Sequence, residues 1–217
     1  MLKVRTIGVY GLPGAISGMR NPMNSWDKSD SDWKVMNEVD VEFGYEPNYE
    51  FVIGNNDLKL SNTLCNNTAE HRKFARMIHV QMDINAPLYW WKEFDTYKVG
   101  VTSNSCSTMH KIHANKFTLD DFSTEHLVGK SVAALQNVVD VLNFEREHYL
   151  VTKDKACWWQ LIQLLPSSYN QLRTVDMTYE NVFQIIRQRT GHKLDEWATL
   201  IEELNSLPYV KEFLKKV

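Results

Sequence analysis

Residues 79–108 read HVQMDINAPLYWWKEFDTYKVGVTSNSCST, and three kinds of patterning follow one another in that stretch. Apolar and polar side chains alternate from Met77 to Asn85, which predicts a strand. Pro87 suits the first turn of a helix, and Trp90, Phe94 and Tyr97 then fall on one side of it at i, i+4 and i+7. Thr102, Ser103, Asn104, Ser105, Cys106, Ser107 and Thr108 follow as a polar loop, with Lys98 before it and Lys111 after it. Hydroxyls, backbone N–H groups and two cations suit a phosphate or carboxylate. The same composition also makes an ordinary exposed turn.

Working outward, Lys3 to Tyr10 reads as a strand closed by Gly-Leu-Pro-Gly. Met19 to Trp33 reads as an ordered loop after a short helix. The strict alternation of Glu38 to Phe43 predicts a strand, Gly44 to Asn48 a turn, and Tyr49 to Ile53 a returning strand. Glu38, Asp40, Glu42, Glu46 and Glu50 read as a solvated edge that resists aggregation. Thr68 to Arg76 has helix composition. Downstream, Val128, Val132, Leu135, Val139 and Leu142 make an apolar stripe that predicts a helix over 125–145. A helix over 154–165 stops at Pro166, Leu172 to Thr178 suits a strand, and Glu180 to Arg189 a helix closed by Gly191. Leu194, Trp197, Ile201 and Leu204 mark a last amphipathic helix, with a short one after Pro208.

These elements predict one α+β domain over residues 1–217. Its net charge of -3 and pI near 6.2 give no basic field for a nucleic-acid backbone. The longest apolar run, CWWQLIQLL, is too short to span a bilayer. Cys65, Cys106 and Cys157 are an odd set without Cys-x-x-Cys spacing, as expected of free thiols in a reducing cytoplasm. His110 and His113 have a metal-compatible spacing but lack companion ligands, so no metal site is assigned. Cys106 reads either as an inert thiol or as a nucleophile activated by nearby cations. Of Trp90-Trp91 and Trp158-Trp159, the second member of each pair is the candidate for stacking on a flat ring. Arg189 shares the apolar side of its helix with Val182 and Ile185 and suits an anion in a cleft; the alternative is a surface Arg whose stem lies along the apolar face.

The order of these motifs resembles the flavin-dependent thymidylate synthases. That family has a strand of the form FxFxxKAPIFVARQW leading into RHRxxSxNxxSxR, and here HVQMDINAPLYWWKEF leads into TYKVGVTSNSCST without a gap. Leu165-Pro166 ahead of LRTVDMTYENVFQIIRQR is similar to the family's Leu-Pro, strand and helix with its Leu-Arg pair. Thr96, Tyr97 and Lys98 stand at the family's Arg-His-Arg, Val101 at its first Ser, Ser103 at its Asn, Cys106 at its second Ser and Thr108 at its last Arg. Glu93 replaces a Gln, and the family's His-x-Thr-x-x-Glu flavin contacts fall on His71, Lys73 and Arg76.

The resemblance implies a mostly antiparallel central sheet flanked by helices, a homotetramer, FAD, and a reduced folate as carbon donor. It implies a nucleotide at Lys98, Asn104, Ser105, Ser107, Thr108 and Arg189. Glu93, Cys106 and Arg189 then take catalytic places, with attack of the Cys106 thiolate at pyrimidine C6 as one route. His71, Lys73, Arg76 and Trp91 take the cofactor. Three readings follow: a methylating or hydroxymethylating enzyme acting on a pyrimidine nucleotide such as dUMP, a nucleotide-binding protein without flavin chemistry, and an interaction module.

Overall fold

The computed structural model describes residues 2–36 and 46–215. The fold is α+β, with an antiparallel sheet flanked by helices. Strand β1 (Lys3–Tyr10) forms over the residues expected for it. Helix α1 (Leu12–Arg20) follows, with Pro13 in its first turn. Short 3-10 turns occupy Asn21–Met23 and Trp26–Lys28, and β2 (Asp32–Val35) pairs antiparallel with β3 (Tyr49–Val52). The strand expected at Glu38–Phe43 and the first two residues of its turn, Gly44 and Tyr45, lie outside the described residues.

Helix α2 (Asn55–Cys65) has no counterpart in the sequence reading. It buries Asp57, Ser61 and Asn62 along with Cys65, so no apolar stripe announces it. The segment expected to be helical from Thr68 to Arg76 is instead a run of turns and a 3-10 helix, Lys73–Met77. Arg72 fixes those turns by donating to the Asn67 carbonyl and, in a two-pronged ion pair, to Glu180 at 3.0 Å.

Strand β4 (His79–Pro87) alternates buried even and half-buried odd residues up to Ala86, and α3 (Leu88–Phe94) starts directly after Pro87. The hydroxyl-rich segment predicted as a loop is a strand, β5 (Val101–Ser105), followed by the single turn α4 (Thr108–Lys111). Helix α5 (Lys130–Thr152) begins later and ends later than its apolar stripe suggests. Gly129 at φ 54 precedes it and leaves Val128 largely exposed, while the last turns carry exposed Leu150 and Val151. Then come α6 (Lys155–Leu164), β6 (Asn170–Thr178), α7 (Tyr179–Arg189), α8 (Asp195–Ser206) and α9 (Val210–Leu214). The four-stranded sheet has the order β1-β4-β6-β5.

Contacts divide the chain into two compact units. The first comprises Met1–Thr6, Met82–Val175 and His192–Leu200. Its centre is an aromatic cluster in which Trp90 packs against Trp91, Phe94 and Trp197 at ring distances of 4.9, 5.2 and 4.7 Å. A further apolar cluster joins Leu135, Val139 and Leu142 of α5 to Phe117, Phe122 and Leu161.

The second unit comprises Ile7–Gln81, Asp176–Gly191 and Ile201–Val217. Phe213 meets Phe74 and Phe183 edge-on there. Gly11, at φ 90, starts α1 where a Cβ would lie 2.2 Å from the Met77 carbonyl oxygen, so only glycine fits. A buried ion pair, Arg20 to Asp57 at 2.6 Å, completes this core. Asp57 also accepts from the hydroxyls of Ser29 and Ser31.

Candidate functional site

Strand β5 is placed by the strand beside it. The Cys106 amide donates to the Leu172 carbonyl at 2.9 Å, and the Gln171 side-chain amide donates to the Cys106 carbonyl at 2.8 Å. Arg173, two residues along β6, donates Nε to the Gln171 side-chain oxygen at 3.0 Å and an Nη to Asp95 at 2.8 Å. Its guanidinium lies 4.2 Å from the centre of the Trp91 ring, a cation–π contact strengthened by partial burial. The Trp91 indole N–H donates to the Gln171 carbonyl. Thus α3, β6 and the end of β5 are joined through Arg173, Gln171 and Trp91.

What β5 presents is polar: Thr102, Ser103, Asn104, Ser105 and Cys106 are all exposed. Strand geometry sends neighbouring side chains to opposite faces. Asn104 and Ser105 therefore leave on different sides, and a ligand lying on one face meets Asn104 with Thr102, or Ser105 with Ser103. Lys98 is exposed ahead of the strand. Ser107 caps α4, its hydroxyl accepting from the His110 amide at 3.1 Å, and Thr108 opens that turn. Lys98, Asn104, Ser105 and Cys106, all exposed, and Ser107 and Thr108, half-buried, thus occupy one short stretch of the chain.

Two sequence-predicted residues of this unit are turned inward. Trp91 is 1% exposed and carries Arg173 over its ring, which leaves no face for a flavin in this arrangement. The Glu93 carboxylate accepts from the Trp197 indole at 3.2 Å and lies 3.4 Å from the His192 ring. Nearby, the Tyr89 hydroxyl donates to Glu196, and burial followed by that carboxylate pushes the phenol up to about 12. Of the other tryptophan pair, Trp159 is exposed, and Trp158 donates to the Met109 carbonyl at 3.2 Å.

The residues matched to the family's flavin contacts lie in the second unit, on the turns after α2. His71 pairs with the Thr68 hydroxyl at 2.7 Å, Lys73 with Glu70 at 2.9 Å, and Arg76 reaches the Ala69 carbonyl at 3.4 Å. All three are exposed. Arg72, Glu180, Gln184, Arg187 and Gln188 line a concavity of about 340 Å³ in this unit. Arg187 donates to the Cys65 carbonyl at 2.8 Å. Arg189, half-buried at the end of α7, belongs to the same unit. Cys65 is fully buried, and burial raises its thiol to about 12, so it is inert as a nucleophile. Cys106 is the exposed thiol beside the polar strand.

Arg173 and Arg72 are site residues that sequence pattern alone does not single out. The Leu-Arg pair at 172–173 signalled the first. The second sits one residue after His71 in the motif compared with the family.

No protein-family model and no curated protein sequence matches the chain. Solved structures do match it in fold. The thymidylate synthase X of Helicobacter pylori, solved with FAD and dUMP, superposes at a TM-score of 0.70 and 15% identity, over 99% of this chain and 97% of that one. A UMP/dUMP methylase from Streptomyces cacaoi bound with 5-Br UMP superposes at 0.60 and 10% identity, over 95% of this chain and 87% of that one. No helix among the described residues is long and apolar enough to cross a membrane. At these identities the likeness speaks for architecture, and the architecture of this chain is that of the flavin-dependent thymidylate synthases.

Proposed function

We propose that this protein binds a pyrimidine nucleotide such as dUMP along β5 and the turn after it. The observation that carries this reading is the exposed run of Thr102, Ser103, Asn104, Ser105 and Cys106, in a fold that matches a dUMP-bound enzyme almost from end to end. Lys98, Ser107 and Thr108 receive the phosphate, Lys98 by charge and the hydroxyls by donated hydrogen bonds. Asn104 and Cys106 face the base. Exposed apolar side chains on α5, among them Val141, Phe144 and Val151, support assembly into a homotetramer.

One-carbon transfer to that base, as methyl or hydroxymethyl, completes the proposal, with FAD and a reduced folate. A reduced flavin supplies hydride to such a reaction. The exposed cations Lys73 and Arg76 suit the diphosphate of FAD, with Arg72 and Arg187 lining the adjoining concavity. Among the matched residues it is Trp91 that does not suit the flavin ring, since Arg173 already covers it. The Cys106 thiolate is the group available for attack at C6 of the pyrimidine.

The second reading, a nucleotide-binding protein without redox chemistry, is favoured by the inward engagement of Trp91 and Glu93. A visible absorption spectrum after incubation with excess FAD and desalting separates the two. Retained flavin bands, bleached by reductant and sensitive to dUMP, support the enzyme. A colourless chain that still binds dUMP supports the second reading, and a chain that binds neither overturns both.

A further inference from the structure

The turn between α5 and α6 brings together three side chains that the nucleotide reading does not use. Glu145 and His148 stand three residues apart on α5, so they share one face of the helix. Lys153 then adopts a left-handed conformation, φ 57, and stops α5. The Asp154 carboxylate accepts from the Ala156 amide at 2.8 Å and starts α6 at once. This two-residue reversal folds α6 back onto α5 and sets Cys157, in its first turn, opposite Glu145 and His148. One donor atom from each of the three lies within 4.8 Å of the other two.

We propose that Glu145, His148 and Cys157 form a site for a borderline divalent cation of the zinc class, linking α6 to α5. The donor set is the argument. A thiolate sulfur, an imidazole nitrogen and a carboxylate oxygen are the ligand types of Zn²⁺, whereas Mg²⁺ and Ca²⁺ require oxygen shells. One thiolate and one carboxylate also balance a double positive charge. The donors already face one another, since the Glu145 carboxylate, the His148 ring and the Cys157 sulfur converge. The His148 ring packs 4.3 Å from that of Phe144, which limits its rotation.

Tetrahedral zinc bonds place donors about 3.3–3.8 Å apart. Closure from the present spacing therefore takes side-chain adjustment of about 1 Å, with His148 exposed and Glu145 and Cys157 half-buried. Three protein ligands leave a fourth position for water. Binding displaces the Cys157 thiol proton to solvent, so each cation bound releases one proton from sulfur.

The test is a titration of the full chain with Co²⁺, which reports tetrahedral thiolate ligation in its visible and near-ultraviolet spectrum. The expected result is one Co²⁺ per chain, with a sulfur-to-metal band that Zn²⁺ removes. Cys157→Ser abolishes the band, and His148→Gln and Glu145→Gln each weaken Zn²⁺ binding by more than about 100-fold, beyond the loss of an outer-shell partner. Cys106→Ser, which removes the exposed thiol outside this site, leaves the band intact. In the unaltered chain, Zn²⁺ protects Cys157 from alkylation, a readout that needs no variant to fold. Absence of the band, its persistence in Cys157→Ser, or unchanged alkylation of Cys157 with Zn²⁺ present overturns the proposal.

Discussion

The guanidinium of Arg173 lies 4.2 Å over the ring of Trp91 while bonding Asp95 at 2.8 Å. A strand residue thereby holds both the helix before β5 and the connection into it, beside the Cys106–Leu172 and Gln171–Cys106 bonds that seat the strand itself.

Arg173→Ala removes the stack, the ion pair and the bond to Gln171 together. The expected loss is about 1–3 kcal/mol, from a partly buried cation–π contact and a modest ion pair. A urea midpoint that falls with unchanged slope checks it. Arg173→Lys restores less than half of the loss, since an ammonium cannot both fork onto Asp95 and Gln171 and lie flat on the indole.

Asp57 sets the acid limit of the second unit. Burial alone would raise its carboxyl. The Ser31 and Ser29 hydroxyls and the Arg20 guanidinium more than offset that and hold it below the ordinary carboxylate value. The unfolded chain thus binds this proton more readily than the folded one. The stabilisation is complete above the unfolded carboxylate range and is lost as pH falls through the lower folded value. Asp57→Asn strands Arg20 and costs about 3–5 kcal/mol at neutral pH. Thermal melts of both chains from neutral to acid pH show that gap narrowing as the wild-type carboxylate is protonated.

Gly11→Ala drives a methyl group against the Met77 carbonyl and forces an L-residue to φ 90. The left-handed strain alone costs about 1–3 kcal/mol, and the clash adds to it. A Tm shift smaller than that of an Ala substitution at exposed Gly191 contradicts the close packing at Gly11.

Lys98→Ala weakens dUMP binding about tenfold, about 1.4 kcal/mol, and the affinity of the variant falls less steeply with added salt. Thr102→Ala and Ser103→Ala, on opposite faces of β5, divide the outcome. The face that holds the nucleotide loses affinity and the other does not. Equilibrium titrations at two salt concentrations check both statements.

Strand β1, strand β4, helix α3 and helix α7 were legible because their burial is periodic: every second residue through most of β4, and Trp90, Phe94 and Tyr97 along one side of the α3 region. Helix α2 was not, because it buries Asp57, Ser61 and Asn62, whose partners come from distant segments such as Arg20 and the carbonyls of Glu212 and Lys215. Strand β5 has the composition of a loop because both its faces are polar and exposed, which erases the period-2 signal. Within the candidate site the sequence located the polar path from Lys98 to Thr108. It did not reveal that Trp91 and Glu93 turn inward, since that depends on Arg173, Trp197 and His192, which lie about 80–100 residues further along the chain.

The most direct measurement is an isothermal titration of the purified chain with dUMP, repeated on Lys98→Ala and on Asn104→Ala. The account predicts saturable binding of one nucleotide per chain, weakened in Lys98→Ala, with inorganic phosphate competing only feebly. Absence of dUMP binding, or binding that Lys98→Ala and Asn104→Ala both leave unchanged, contradicts the placement of a nucleotide on β5.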